Sequence, residues 1–184
     1  MAPALRHSVK VLSAAADVLR RPTGGIVVLI YHRVGGGSGL QVDQPVELFR
    51  RQIEALAASG SVLTLDEAVA RLTTADATDP VSGVVVTFDD GTADFAEVAV
   101  PILAEHKVPA TLYLATAFVE EQRNFPDDGR PLSWSALADA VSTGWVTVGS
   151  HTHTHALLDR AEPTAVDAEL DRSIELIGER LGVR

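Results

Sequence analysis

Short apolar runs that suit buried strands alternate with helical periodicity along most of this chain, and this alternation constrains its fold more than any other feature. The runs that predict strands cover residues 26–31, 62–63, 84–88, 110–114 and 145–148. Between them, apolar residues recur at the three- and four-residue spacing of amphipathic helices. The first run is apolar throughout, which is typical of a strand buried on both faces. Strands that alternate with helices indicate βα units and an α/β fold with a parallel sheet or barrel.

The length and composition suit one globular domain with a substantial core. The chain has 184 residues, of which 46% are hydrophobic and 22% are charged, a balance typical of folded rather than disordered chains. A net charge of −10 argues against a nucleic-acid partner, which would need clustered Lys and Arg. The chain contains no cysteine, so disulfides and thiolate metal ligands are excluded.

Residues 1–22 are predicted to form an N-terminal amphipathic helix ahead of a domain that spans residues 23–184. Such a helix usually packs on its own domain, and a role at a membrane surface is the alternative. Asp17 interrupts the apolar stretch before a signal-peptide core develops. We find no recognisable export signal, so the location is cytoplasmic or undetermined. No segment approaches the ~20 apolar residues of a membrane span, and the oligomeric state is left open.

Aspartate and histidine residues that could take part in catalysis or metal binding follow two of the predicted strands. The run 84–88 leads directly into Asp89, Asp90 and Gly91, and the run 145–148 leads into the segment 150–155, which holds three of the six histidines. An ionised Asp is costly to bury without a partner or a metal. Carboxylate and imidazole together form a typical donor set for zinc. In α/β folds, functional residues gather beyond the carboxyl ends of parallel strands. The two segments therefore predict a metal-assisted hydrolase.

Each segment also has a purely structural interpretation. Asp-Asp-Gly is common in turns and at helix starts, and a cluster of histidines can be a polar surface loop. A P-loop NTPase is excluded because it needs the pattern GxxxxGK[ST], whereas the glycine-rich stretch 35–39 is not followed by lysine. The string Asp-Asp-Gly recurs at 127–129 without a preceding apolar strand, which favours a solvated turn there.

The conformation of the histidine segment decides which side chains meet. If the segment is extended, His151, His153 and His155 share a face and can form a three-histidine site. If it turns, residues four apart become neighbours and His153 points away. Because the segment leaves a strand, we favour His151 with His155 and expect His153 at the rim or behind the ligands.

The motif TFDDG at 87–91, followed by SHTHTH at 150–155, resembles the NodB-like polysaccharide deacetylases, which are metal-dependent carbohydrate N-deacetylases. The resemblance covers about residues 26–181, with supporting matches at YHRV (31–34), VPAT (108–111) and LSW (132–134). It implies a deformed parallel (β/α) barrel. With about five predicted strands, where closure takes about eight, we expect this barrel to be incomplete here.

The resemblance also implies a role for each residue of the site. Asp90, His151 and His155 would bind a divalent metal, with Zn²⁺ expected and other divalent ions as alternatives, and Asp89 would be the general base. The reaction implied is removal of acetyl groups from N-acetylated sugars of a glycan. The alternatives are a small-amide hydrolase with the same site and a catalytically silent carbohydrate-binding module. We expect Thr152 and Ser150 to orient the imidazoles.

Other motifs of that family do not occur in this chain: an aromatic-proline strand, a later aspartate and a histidine that acts as general acid. We therefore expect an N-terminal portion of a deacetylase domain with severely reduced turnover on its own. His32 is expected near the mouth of the site, but the resemblance gives it no acid role. Phe125, Trp134 and Trp145 are the aromatic candidates for contact with a glycan.

Overall fold

The structure is a computed structural model that describes residues 24–74 and 81–182. The predicted helix over residues 1–22 lies outside the described residues, and so does most of the linker before the third predicted strand. The described residues form an open parallel sheet with helices packed against it, which confirms the α/β class. None of the helices in this part of the chain is both long and apolar enough to cross a lipid bilayer.

Four parallel strands form the main sheet, and two short strands pair separately. In chain order the strands are β1 (Ile26–Tyr31), β2 (Arg33–Val34), β3 (Asp43–Gln44), β4 (Gly83–Phe88), β5 (Ala110–Leu114) and β6 (Val146–Ser150). The main sheet has the order β1-β4-β5-β6, and β2 pairs with β3. The ladders between these strands are all parallel, so the carboxyl ends of the four main strands lie along one edge.

The prediction of a second strand at Val62 and Leu63 is wrong. Val62 forms a single parallel bridge with Val84, and the N–H of Leu63 donates to the carbonyl of Val84 at 2.8 Å. β5 pairs with β4 only near the carboxyl end of that strand, at Thr87 and the residue after it, so the other end of β4 is free to accept this bridge. A helix begins at Leu65, which leaves no room for a longer ladder.

β1 is far more exposed than its apolar sequence predicts. Val27, Val28 and Ile30 are 55%, 48% and 60% exposed, so the expectation of burial on both faces is wrong for the described part of the chain. The reason is position: β1 lies at the edge of the sheet, and within residues 24–74 and 81–182 its one strand neighbour is β4.

The described residues form six α-helices. In chain order they are α1 (Val46–Ser59), α2 (Leu65–Thr74), α3 (Val100–His106), α4 (Thr116–Glu120), α5 (Trp134–Ser142) and α6 (Pro163–Leu181), with a π-helical turn at Phe95–Ala99 before α3 and a 3₁₀ turn at Leu158–Arg160. Gly60 and Gly182 end α1 and α6 in the left-handed conformation. Thr64 and Glu67 form a reciprocal cap of α2, with hydrogen bonds of 2.9 and 3.2 Å.

An aromatic cluster lies beneath the carboxyl end of β4. The ring of Phe88 stacks on Tyr31 at 5.3 Å between centroids and meets Phe49 and Phe95 edge-on at 5.8 and 4.8 Å. Phe88 is fully buried, and aromatic pairs of this kind add about 0.5–1.5 kcal/mol each beyond their buried area. The cluster therefore holds Phe88, the last residue of β4, in place directly before Asp89.

Candidate active site

Three predicted site residues meet at the carboxyl edge of the sheet because β5 lies between the strands that carry them. Asp89 and Asp90 follow β4, and His151 follows β6. The N–H of Ala115, just after β5, donates to the carbonyl of Asp90 at 3.0 Å, and the N–H of His151 donates to the carbonyl of Leu114 at 3.0 Å. One strand end therefore sets the backbone position of both residues.

A sharp turn at the end of β4 separates the two carboxylates. The N–H of Asp89 still donates to the carbonyl of Tyr31 at 2.9 Å, which extends the ladder with β1. Asp90 then has a φ of 76° and Gly91 a φ of 106°. A Cβ atom at Gly91 would overlap the side chain of Leu114. The chain therefore turns at this glycine, and it already leaves the extended conformation at Asp90.

Asp90, His151 and His155 form a compact cluster of potential metal ligands. The carboxylate Oδ1 of Asp90 lies 3.3 Å from Nε2 of His155 and 3.7 Å from Nε2 of His151, and one ligand atom from each residue lies within 4.8 Å of the others. The same Oδ1 atom is buried and has no hydrogen-bond partner, although buried polar atoms are normally paired.

This donor set fits a divalent cation of the zinc type. Ligands held about 2.0–2.1 Å from a tetrahedral ion lie about 3.3 Å apart, close to the measured separations of the Asp90 oxygen from the two imidazole nitrogens. A cation would also supply the missing partner of the buried oxygen. Nitrogen and oxygen donors without thiolate suit zinc and several other divalent ions.

The histidine segment turns, and this removes His153 from the ligand cluster. Thr152 and His155 have φ values of 67° and 63°, in the left-handed region. His153 Nδ1 forms a hydrogen bond of 2.9 Å with the hydroxyl of Thr116, and its carbonyl accepts from the N–H of Ala117 at 2.8 Å. Of the two arrangements open to the sequence, the structure has the turned one.

Ser150 and Thr152 stabilise this turn rather than the imidazoles. The Ser150 hydroxyl accepts from the N–H of Thr152, and the Thr152 hydroxyl accepts from the N–H of Ala156, both at 3.2 Å. The expectation that these hydroxyls orient the ligand rings is wrong, because a turn this tight directs them to nearby main-chain amides.

Asp89 lies beside the ligand cluster, and His32 is its nearest imidazole outside that cluster. His32 Nε2 is 3.9 Å from Asp89 Oδ2, and the two side chains are 33% and 18% exposed. Burial raises the pKa of Asp89 above its usual value; the nearby imidazoles of His151 and His32 oppose this shift, and the charge of Asp90 adds to it. Burial also lowers the pKa of His151, which favours the neutral imidazole that a metal requires.

Glu169 on α6 is a site residue that the sequence analysis missed. Its carboxylate accepts hydrogen bonds from the N–H of His153 at 2.8 Å, the N–H of Thr154 at 2.7 Å and the hydroxyl of Thr154 at 2.8 Å. Burial acts to raise the pKa of Glu169, but these hydrogen bonds outweigh it and hold the pKa below its usual value. In the sequence, Glu169 is one of many charged residues on the polar side of a helix, so no pattern singles it out.

Of the three aromatic candidates for glycan contact, one is buried and another lies at the far end of the sheet. Phe125 is buried and stacks on Phe118 with 4.1 Å between centroids. Trp145 precedes β6 and therefore lies at the opposite end of the sheet from the ligands. The indole N–H of Trp134 donates to Glu120 at 2.7 Å. The expectation of glycan contacts at Phe125 and Trp145 is therefore not supported.

The second Asp-Asp-Gly string forms the predicted solvated turn. Asp127 and Asp128 are exposed and have φ values of 55° and 57°. The guanidinium of Arg33 donates to the carbonyl of Asp127 at 3.0 Å and to that of Pro126. The loop that carries this string is thus tied to β2 through its main chain.

A cavity of about 430 Å³ opens beside β5 and β6. Tyr113, Gly149 and Ser150 are among the residues that line it, and Ser150 directly precedes His151 in the chain. A Cβ at Gly149 would lie 3.1 Å from the ring of Tyr113, so the glycine leaves room for this ring. Burial, together with the charge of Asp89, raises the pKa of the Tyr113 hydroxyl.

Comparisons with known proteins identify one family. The family model described as "Polysaccharide deacetylase" matches residues 76–184. A chitooligosaccharide deacetylase from Rhizobium leguminosarum bv. phaseoli is 31% identical over 86 residues, which cover 46% of this chain and 33% of the relative. YxkH of Bacillus subtilis (strain 168), named for the same family, is 23% identical over 149 residues, 81% of this chain and 50% of the relative. The chain thus spans half or less of the length of these relatives.

Several solved structures share the fold. IcaB from Ammonifex degensii superposes with a TM-score of 0.70 at 25% identity, covering 88% of this chain and 71% of that one. The Streptococcus pyogenes deacetylase PplD, solved in complex with acetate, superposes with a TM-score of 0.71 at 22% identity, covering 85% and 69%. These neighbours confirm the NodB-like β/α fold, of which the described residues form an open part.

Proposed function

Because this chain belongs to the polysaccharide deacetylase family, we propose that it carries the metal-binding part of a hydrolase that removes acetyl groups from N-acetylated sugars. The observation that supports this most directly is the unpaired Oδ1 of Asp90, which faces two imidazole nitrogens at 3.3 and 3.7 Å. Asp89 lies next to this cluster without belonging to it. Three ligands and an adjacent free carboxylate form the arrangement that metal-assisted hydrolysis needs.

Each residue of the site has a distinct proposed role. Asp90, His151 and His155 hold a divalent ion, for which Zn²⁺ is our first choice. When bound, such an ion supplies Lewis acidity towards a water molecule and the amide carbonyl. Asp89 accepts the proton that this water loses as its oxygen bonds to the acetyl carbon. The raised pKa of Asp89 suits this role, because a general base works best when its pKa approaches the working pH.

The departing amine must gain a proton when the carbon–nitrogen bond breaks. His32 is the imidazole that lies within 3.9 Å of Asp89 and outside the ligand cluster. We therefore propose that His32 supplies this proton, a role that the sequence resemblance does not assign to it. The products are acetate and a free amino sugar: one proton of the attacking water passes to Asp89 and then replaces the proton that His32 donates to the amine, and the other leaves with the new carboxyl group.

The cavity beside β5 and β6 is large enough to hold a sugar-bound acetamide. Its volume of about 430 Å³ lies within the range of small-molecule sites, about 300–1,000 Å³. The Rhizobium relative is named for chitooligosaccharides. We propose N-acetylated oligosaccharides of this chemical class for the present chain.

Acetate release tests this function. The purified chain, loaded with Zn²⁺, is incubated with N-acetylated chitooligosaccharides, and acetate and free amines are measured in parallel. We expect slow turnover, in keeping with the family motifs that this chain does not carry, with equal amounts of both products and their loss after chelation. Hydrolysis of small amides without any release from the sugars would favour the small-amide hydrolase instead, and no release from either substrate would contradict the proposal.

A further inference from the structure

The segment that links His151 to His155 is held in a conformation that a free chain would avoid. Thr152 and His155 both have positive φ values, a strained conformation that non-glycine residues rarely adopt. Strain of this kind persists only where surrounding contacts stabilise it. The spacing of the two imidazoles therefore depends on whatever holds the residues between them.

One side chain from a distant helix binds the middle of this segment. The Oε2 atom of Glu169 accepts from two successive amides, those of His153 and Thr154, at 2.8 and 2.7 Å. The other oxygen, Oε1, accepts from the Thr154 hydroxyl at 2.8 Å. Hydrogen bonds to an ionised acceptor are about twice as strong as those between neutral groups.

The opposite side of the segment is held by neutral contacts. The N–H of Ala117 on α4 donates to the carbonyl of His153 at 2.8 Å, and the Thr116 hydroxyl bonds to the His153 ring at 2.9 Å. His153, between the two ligands, is thus held between α4 and α6. The contacts to Glu169 differ from these because one carboxylate accepts from three separate donors. Glu169 therefore provides the strongest set of hydrogen bonds to the segment.

We propose that Glu169 is a positioning residue that fixes the spacing of His151 and His155 and thereby sets the affinity of the site for its metal. The identity of the two ligands rests on the proposed function. The positioning itself rests on the three hydrogen bonds and the two positive φ values. Residues behind metal ligands typically change metal affinity by about 10–100-fold, and we expect an effect of that size.

Two variants of Glu169 and one control test the proposal. Glu169→Gln keeps the shape but loses the charge, and Glu169→Ala removes every acceptor. The matched control is Glu175→Gln on the same helix, where the exposed carboxylate bonds to Arg172 at 2.8 Å. For each protein, amide hydrogen exchange at residues 153 and 154 is measured without metal, and Zn²⁺ affinity is measured by competition with a chromophoric chelator.

We expect a graded result. Exchange at both amides should accelerate, and Zn²⁺ affinity should fall by about 10–100-fold in Glu169→Ala and by less in Glu169→Gln. Glu175→Gln should match the wild type in both measurements. A Co²⁺-loaded sample adds a spectroscopic check, since displaced ligands change its visible absorption, and Glu169→Gln keeps the test valid if Glu169→Ala fails to fold.

Unchanged exchange and unchanged affinity in folded Glu169 variants would overturn the proposal. Failure of the proposed function gives a different pattern. If the wild type binds Zn²⁺ and the Glu169 variants bind it more weakly, but no acetate is released from any sugar, only the proposed function is contradicted. A wild type that binds no divalent ion would overturn both.

Discussion

Asp89 and Asp90 are neighbours in the chain but have different surroundings, because the backbone turns between them. Asp89 continues the ladder of β1 and lies 3.9 Å from His32. Asp90, at a φ of 76°, directs an unpaired oxygen at two imidazoles. We infer that Asp89 acts as the base and Asp90 as a metal ligand. Replacing each of them should therefore have a different effect.

Replacing Asp89 by Asn should abolish turnover but preserve metal binding. The amide cannot accept a proton from water, and general-base assistance is worth about 10²–10⁴-fold. Acetate release and Zn²⁺ content are measured on the same sample. Asp128→Asn, in the exposed turn, is the control and should behave as the wild type. Loss of metal from Asp89→Asn would contradict the assignment of Asp89 as an unligated base.

Replacing His32 by Gln should reduce turnover on N-acetylated sugars without reducing Zn²⁺ content. The reason is that the amine would depart without a proton donor, so we expect a loss of about 10²-fold or more. The loss should be smaller for an activated acetate ester, whose leaving group needs no proton. His106→Gln, where the imidazole lies 4.0 Å from Glu54 on α1, is the control. Equal losses on both substrates would argue against an acid role.

The sequence predicts the ligand set but not the residues that support it. Strand ends, a glycine turn and four-residue spacing are local patterns that make the aspartates and histidines candidates, and the family resemblance selects Asp90, His151 and His155 as the expected ligands. Glu169 and the pairing of His32 with Asp89 depend on how distant elements pack. Ser150 and Thr152 were misjudged because a hydroxyl in a tight turn meets main-chain amides first.

At the scale of elements, the end of β4 is the most constrained part of the site. The ring of Phe88 is fully buried in the aromatic cluster, and Gly91 occupies a position where a side chain would overlap Leu114. The turn after β4 therefore packs against the end of β5 so closely that a side chain at position 91 has no room.

Replacing Gly91 by Ala should destabilise the fold more than replacing Gly144 by Ala. Both glycines have positive φ values, 106° and 77°, but a Cβ at Gly144 would meet nothing within 4 Å. We expect about 1 kcal/mol for Gly144→Ala from backbone conformation, and a further 1–3 kcal/mol, roughly, for Gly91→Ala from overpacking. Urea unfolding measures both, and equal losses would contradict the packing argument.

Element boundaries were predictable where local chemistry sets them. The cap of α2 and the glycines that end α1 and α6 are visible in the sequence, because capping depends on a few adjacent residues. The exposure of β1 and the reduction of Val62 to a single bridge were not predictable. Both depend on which neighbours a strand has, and an apolar run does not carry that information.

At the scale of the molecule, strand order assembles the site. β5 lies between β4 and β6, so residues near positions 90 and 151 meet at one edge of the sheet. If these ligands bind a metal only in the folded state, the metal must stabilise that state by mass action.

Zn²⁺ should therefore raise the free energy of unfolding of the wild-type chain. At a free concentration of 100 times the dissociation constant, the gain is about 2.7 kcal/mol, and thermal unfolding measures it as a higher Tm. Magnesium, which prefers oxygen ligands, is the control ion and should give little shift. A Tm that does not respond to Zn²⁺ would contradict metal binding in the native state.

The central claim is that Asp90, His151 and His155 share one metal ion, and metal content tests it most directly. Wild-type protein and the variants Asp90→Ala and His151→Ala are dialysed against the same Zn²⁺ buffer and analysed by elemental mass spectrometry. We predict about one equivalent in the wild type, as three convergent ligands imply, and strong depletion in both variants. Equal metal in all three folded proteins would contradict the account.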